Sequence, residues 1–211
     1  REAGDTVGGG VTRVLRTDAE GLSTFLRERF NYDTGPITGY DFETPSRRAL
    51  AKLDFNANDA NKFSLRYTLL NSSSDFPVSN SNSLGFGNRR GSVNALSYAN
   101  SAYAILENLR SLVGEWNAQY GARLTNNLLV GYTSNDESRR ARGDFFPTVD
   151  ILDGAQTALN FGFEPFTPAN QLRYNTFQAQ NKLPAYAGAH ELTFGASYER
   201  YRSEKVFFPG S

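Results

Sequence analysis

The chain has 211 residues, and its 22 Lys plus Arg balance 22 Asp plus Glu. Zero formal charge gives no global field to gather nucleic acid or an anionic surface, the absence of Cys excludes disulfide and thiolate chemistry, and no apolar run approaches the roughly eighteen residues of a transmembrane helix. Apolar residues make up 39%, low for a soluble domain, yet a membrane β-barrel is compatible with that figure because its strands are only half apolar.

The first residues, "REAGDTVGGG", contain neither the basic n-region nor the apolar h-region of a signal peptide. The last, "VFFPGS", read like the middle of a segment, so the chain is expected to be a piece of a longer protein. Residues 1–46 read as an N-terminal loop region. Within it, residues 15–30, "LRTDAEGLSTFLRERF", predict a short helix. Thr17 or Asp18 is the expected N-cap, and Leu22, Phe25, Leu26 and Phe30 fall near helical spacing.

From residue 47 onward the period changes to two. Ala49, Ala51, Leu53, Phe55 and Ala57 share one face, with Arg48, Leu50, Lys52, Asp54 and Asn56 on the other. After "NANDAN" the alternation resumes, Phe63, Leu65, Tyr67 and Leu69 opposing Ser64, Arg66, Thr68 and Leu70. Asn and Asp cap their own backbone and tolerate the left-handed region, so the link predicts a tight turn. A second hairpin pairs "LVGEWNAQYG" with "LLVGYTSN" through an "ARLTN" turn. A third pairs "NTFQAQNKL" with "HELTFGASYERY", and Pro184, which cannot donate to a ladder, is expected at the strand end beside an "AYAGA" turn.

The connections between hairpins are long: residues 73 to about 108, with a second helix expected over 94–107, and residues 139 to about 170. Long loops at one end, tight turns at the other and arms of about ten to twelve residues are the signature of an outer-membrane barrel. Periodicity alone fits a soluble sandwich equally well; arm length and loop asymmetry decide for the barrel. The face of Arg48, Lys52, Asp54 and Arg66 then looks into a wet interior, and the face of Leu53, Phe55, Phe63 and Leu65 meets lipid. Phe55, Phe63 and Tyr120, beside the tight turns, suit an interfacial girdle. The expected fold is all-β: an antiparallel transmembrane β-barrel segment of about six long strands with long extracellular loops, residues 1–211 forming part of one barrel domain. Six strands leave the barrel incomplete, since the smallest have about eight.

"LRTDAEGLSTFLRERFNYDTG", followed by "GYDFETPSRRALAKLDFNANDANKFSLRYTLLNS", resembles the TonB-dependent outer-membrane receptors of the Oar-like kind. "NFGFEPFTPANQLRYNTFQAQNKL" and "AHELTFGASYERYRSEKVFFPG" carry the same resemblance, which runs from about residue 11 onward. It implies a barrel of about 22 strands with a plug inside, often an N-terminal carboxypeptidase-regulatory-like domain, location in the bacterial outer membrane, and uptake powered through the TonB complex. No segment of the chain is identifiable as the plug, the TonB box, or the closing strand with a terminal aromatic.

Residue by residue, no catalytic, cofactor or metal site emerges. "DFNANDANKFSL" begins like a calcium loop, but Asp59 and Leu65 stand where Gly and a bidentate Glu are needed. "GFGNRRG", residues 85–91, lacks the Lys-Ser/Thr of a phosphate loop; Arg89 and Arg90 are candidates for lipopolysaccharide phosphates. His190, the one histidine, lies at a turn edge rather than between a nucleophile and an acid. "NDESRRARGD", residues 135–144, reads as a solvated rim, and "EPFTPAN", residues 164–170, as a stiffened loop. Loop aromatics Phe86, Tyr98, Tyr103, Phe145, Phe146, Phe161 and Phe163 are better placed to meet a substrate than any wall residue, although the substrate-binding residues are left unassigned. The expected function is transport rather than catalysis, with outer-membrane lipid, the TonB complex and an unidentified substrate as partners and no nucleic acid. The alternatives are a non-transporting adhesion or signalling barrel and a soluble all-β binding module.

Overall fold

Three antiparallel hairpins with short turns set the architecture of the computed structural model, which describes residues 1–79, 95–166 and 170–207. In chain order, α1 (Arg16–Phe30) precedes β1 (Ser46–Asn58), β2 (Asn61–Phe76), β3 (Leu96–Ser97), β4 (Tyr103–Tyr120) and β5 (Leu124–Asp136). Then follow β6 (Arg139–Ala141), β7 (Val149–Asp153), β8 (Gln156–Phe161), β9 (Gln171–Ala187) and β10 (His190–Val206). The six long strands form one sheet in the order β1-β2-β4-β5-β9-β10, and β6 adds to β4 at the loop end. Neither β1 nor β10 has a second neighbour among the described residues, so the sheet is open at both.

The first turn shows how local chemistry fixes register. Asn58 Oδ1 accepts from the Ala60 N–H at 3.0 Å and from Asn61 Nδ2 at 3.1 Å. This is the side-chain capping expected of the Asn-rich link. The left-handed backbone that Asn also tolerates is not used there; among the described non-glycine residues only Asn31 has a positive φ.

Cross-strand partners lie on the same face of a sheet, so the registers sort both faces into rows. One face carries the row Leu53, Leu65, Gly114, Val130, Ala179, Tyr198, and next to it, toward the turns, Phe55, Phe63, Trp116, Leu128, Asn181, Ala196. The other carries Lys52, Arg66, Val113, Gly131, Gln178, Glu199, then Asp54, Ser64, Glu115, Leu129, Gln180, Ser197. The apolar face is uncovered: Leu53 is 68% exposed and Phe194 60%. Its apolar stretch starts at Ala49 on β1 but at Tyr198 on β10, two rows nearer the turns.

Several boundaries differ from the expected ones. The strands run further toward the loops, so the first long connection is 77–102, not 73–108. The helix expected over 94–107 is absent; a single 3-10 turn, Ala99–Ser101, leads into β4. Helix spacing in "SYANSAYAILENL" competes with a strand pattern, and pairing with β2 decides it: Phe76 faces Tyr103 and Ser74 faces Ile105. Of "ARLTN", Leu124 to Asn126 belong to β5 and the turn is 121–123. Pro184 lies inside β9, paired with Thr193, and the turn is only Gly188 and Ala189. It is tolerated because the β5–β9 ladder is interrupted beside it, with no partners between Leu124/Ala185 and Asn127/Lys182.

The second structural unit sits at the loop end. α1 spans the expected residues, but its N-cap is Leu15, with no side-chain cap bond; Thr17 and Asp18 fall in the first turn. Asn31 ends the helix in the left-handed region, and the Asn31 and Tyr32 amides close on Arg27 and Leu26. The buried face is Ala19 and Leu26 with Leu22 at its edge, while Phe25 and Phe30 are exposed. It packs with Val14, Tyr32, Tyr98, Leu159 and Phe161 into one cluster. β3 and β7 flank β8 in a separate three-stranded sheet within the residues expected to be loops.

Candidate functional site

The polar face of the wall is a connected hydrogen-bond surface. Glu115 Oε1 accepts from Asn127 Nδ2 at 2.8 Å and from Asn117 Nδ2 at 3.0 Å, and Asn127 Nδ2 also approaches Asn117 Oδ1 at 2.7 Å. Lys52 pairs with Asp54 at 2.8 Å, and the Ser111 and Thr133 hydroxyls meet at 2.9 Å. Gly131 leaves room for a neighbour: a Cβ there would stand 3.1 Å from the Gln178 side chain. Charges of both signs beside amides and hydroxyls are stable against water and costly against hydrocarbon.

The apolar face ends in aromatic side chains on the turn side. Phe63 stacks on Phe55 at 6.5 Å and on Trp116 at 6.1 Å, and the Trp116 indole N–H donates to Asn61 Oδ1 at 3.0 Å. An apolar ring with its polar edge turned to a wet border suits a membrane interface. Tyr120 lies beyond it on the same face, beside the 121–123 turn.

The loop-end lobe is built around two tyrosines. The Tyr98 hydroxyl donates to the Ala19 carbonyl at 2.6 Å, joining α1 to the segment before β4. Burial pushes the Tyr98 phenol up to about 12. Tyr32 stacks on Phe146 at 4.1 Å, and burial raises its phenol as well. At the rim, Tyr40, Asp41, Glu43, Asp75, Arg140 and Arg142 line a cleft of about 580 Å³. Arg142 lies 5.6 Å from the Tyr40 ring centre and 3.7 Å from Asp75. Burial raises the Tyr40 phenol, with the Arg142 charge opposing.

The expected loop aromatics separate by burial. Tyr98 and Phe161 belong to the lobe core. Phe146 packs against that core, and Tyr103 is in β4, stacked on Phe76. Phe145 is 81% exposed and lies against Phe163 at 5.4 Å. Phe86, Arg89 and Arg90 lie outside the described residues. The "NDESRRARGD" run is not simply a solvated rim: Arg139–Ala141 pair with β4 as β6, and Glu137 accepts from the Tyr174 hydroxyl at 2.7 Å. In "EPFTPAN", Glu164, Phe166 and Asn170 are buried, the Phe166 amide donating to Glu164 at 3.1 Å and Asn170 Nδ2 to the Phe166 carbonyl at 2.8 Å. His190 is exposed at the start of β10. The Tyr32–Phe146 pairing and the rim cleft were not anticipated; only their aromatic and charged composition was visible.

No curated protein matches the chain. A family model described as an outer membrane beta barrel domain matches residues 27–209. That span takes in both the wall strands and most of the lobe. The chain belongs to the outer membrane beta barrel domain family, and its place is the bacterial outer membrane; in the wall of such a barrel the apolar face is the one that meets lipid.

Proposed function

We propose that the chain is wall and loop of a TonB-dependent receptor that takes up a substrate across the outer membrane. The observation that carries this reading is the polar face, where charges of both signs and an Asn–Glu–Asn ladder line the interior side of the wall. A transport lumen needs such a surface, both for a polar solute and for a plug held by hydrogen bonds. The segments that resemble Oar-like receptors point the same way. In this reading the partners are outer-membrane lipid, the TonB complex acting through a plug outside the chain, and the substrate. Neither catalysis nor nucleic acid has a part.

The test compares three strains: wild type, one lacking this barrel, and one lacking TonB. Solutes left in the medium by the barrel deletion should also be left by the TonB deletion. A barrel deletion that changes attachment or signalling and leaves solute depletion untouched would replace transport by the adhesion or signalling reading. That second reading draws on the exposed Phe25, Phe30 and Phe145 of the lobe, a surface able to meet a partner outside the cell.

A further inference from the structure

The registers fix which charged side chains lie on the lipid side of the wall. The basic ones are all arginine: Arg47, Arg110, Arg140, Arg173, Arg200 and Arg202. The acidic ones are Asp75, Asp136 and Glu204. All of them lie on the loop side of the apolar band, where the outer leaflet ends. Asp136 is taken by Arg173 at 3.5 Å and Asp75 by Arg142 at 3.7 Å. Arg200 and Arg202 make no side-chain hydrogen bond or ion pair with the described residues.

Two arginines share one row with hydrogen-bonding groups between them: Arg110, Ser134, Asn175, Arg202. Three strand spacings separate its ends, roughly 14 Å. Arg110 is held in place by the Leu70 and Leu109 carbonyls at 2.8 Å and by Asn71 Oδ1 at 2.5 Å. Ser134, Asn175 and Arg202 also line a cleft of about 230 Å³, with Asp136, Arg173 and Glu204 at its loop-side edge. Four residues from Arg110 on the same face of β4, Gly114 leaves a gap between Leu65 and Val130. It opens an apolar groove of about 400 Å³ whose floor includes Trp116.

Guanidinium groups pair with phosphate in two parallel bonds, which lysine cannot do. Basic residues at a membrane border read anionic headgroups. We propose that this face binds a bisphosphorylated glycolipid of the outer leaflet. Its two phosphates lie at Arg110 and Arg202, its sugar hydroxyls meet Ser134 and Asn175, and one acyl chain fills the groove at Gly114. Arginine at both ends with neutral polar groups between favours a headgroup with two separated anions over a single-phosphate lipid.

The full-length protein in detergent is titrated, by native mass spectrometry, with four probes: lipid A, lipid A stripped of both phosphates, phosphatidylglycerol and inorganic phosphate. Lipid A should bind at least tenfold more tightly than the stripped form and than phosphatidylglycerol. The double variant R110Q/R202Q should erase that difference, Gly114→Leu should weaken lipid A and its stripped form alike, and the interior variant Arg66→Gln should change neither. Equal affinity for intact and stripped lipid A would overturn the phosphate assignment, and equal affinity for phosphatidylglycerol the two-phosphate one. Competition by inorganic phosphate at matching concentration would reduce the site to a free-anion site. If the double variant fails to fold, the stripped-lipid comparison on the wild-type protein still decides.

Discussion

Val130 and Leu129 are neighbours on β5 that face opposite sides of the wall, so a pair of arginine substitutions there tests the assignment of faces directly. Val130 sits in the row of Leu53, Leu65, Gly114, Ala179 and Tyr198, with Gly114 and Ala179 as its flanking partners. Neither offers a group to pair with a guanidinium. The polar border at Arg110 and Ser134 lies two rows away, roughly 13 Å along the strand, beyond easy reach of the side chain. Val130→Arg should therefore cost the full midplane penalty of about 2–4 kcal/mol, a fall of about 30- to 700-fold in the folded-to-unfolded ratio at about 1.4 kcal/mol per factor of ten. Leu129→Arg would stand on the polar face between Glu115 and Gln180, and should change stability by no more than about 1 kcal/mol. Both are measured as urea-dependent folding of the full-length barrel into phospholipid vesicles, read from the faster gel migration of unheated folded barrel. Equal costs, or a larger cost at Leu129, would mean that the polar face does not look into the lumen.

Trp116, the one tryptophan of the chain, should emit at short wavelength in vesicles and be quenched by lipids brominated along the acyl chain; quenching by aqueous acrylamide instead would remove it from the lipid side. The Tyr98 phenol has a folded pKa of about 12, above its unfolded value of about 10. Its contribution to lobe stability is thus whole below pH 10 and lost as pH rises through 12. Tyr98→Phe should remove that part of the alkaline loss and cost about 1 kcal/mol at neutral pH through the bond to Ala19, seen as faster amide exchange in α1; identical alkaline profiles for the two proteins would refute the assignment. Gly162 has φ +99, and a Cβ there would stand 2.1 Å from the Pro147 carbonyl oxygen. Gly162→Ala should open the lobe to protease between β7 and β9 while leaving the folded band of the barrel unchanged, and loss of that band would show that lobe and wall fold as one unit.

The wall was legible because a lipid-facing strand is written by alternation, and alternation survives without knowledge of its partners. Residues 47–57 and 62–72 alternate over most of their length, and both arms fall inside the observed strands. The strand tops were not legible. Above Leu69 the face of Asn71, Ser73 and Asp75 is polar on a wet exterior, so no contrast between faces marks the strand. Pairing with β4 carries it on. The lobe was missed for a related reason: β3 and β6 are two and three residues long, β7 and β8 five and six. Elements that short carry too few periods to read, and contacts distant in sequence stabilise them, such as Tyr98 with Ala19. The loop aromatics stand out in the sequence as candidates to meet a substrate, but composition could not separate Tyr98 and Phe161, which fill a core, from Phe145, which faces solvent.

The same rows carry information about the closed barrel that no single strand holds. The apolar band moves two rows toward the turns between β1 and β10. Two rows are four residues, roughly 13 Å, across five strand spacings, roughly 24 Å. A band that is level in the membrane can slope through the ladder in this way only if the strands tilt, here by roughly 30°, near the 35–45° of membrane barrels. Arg200 illustrates the consequence. It shares a row with Tyr67, Tyr132 and Phe177, and in an untilted sheet it would be a charge inside the apolar band. With the tilt, its height is that of Arg110 and Ser134, at the border. Side-chain chemistry on six separate strands and the hydrogen-bond register between them thus agree on one geometry, although neither was chosen with reference to the other.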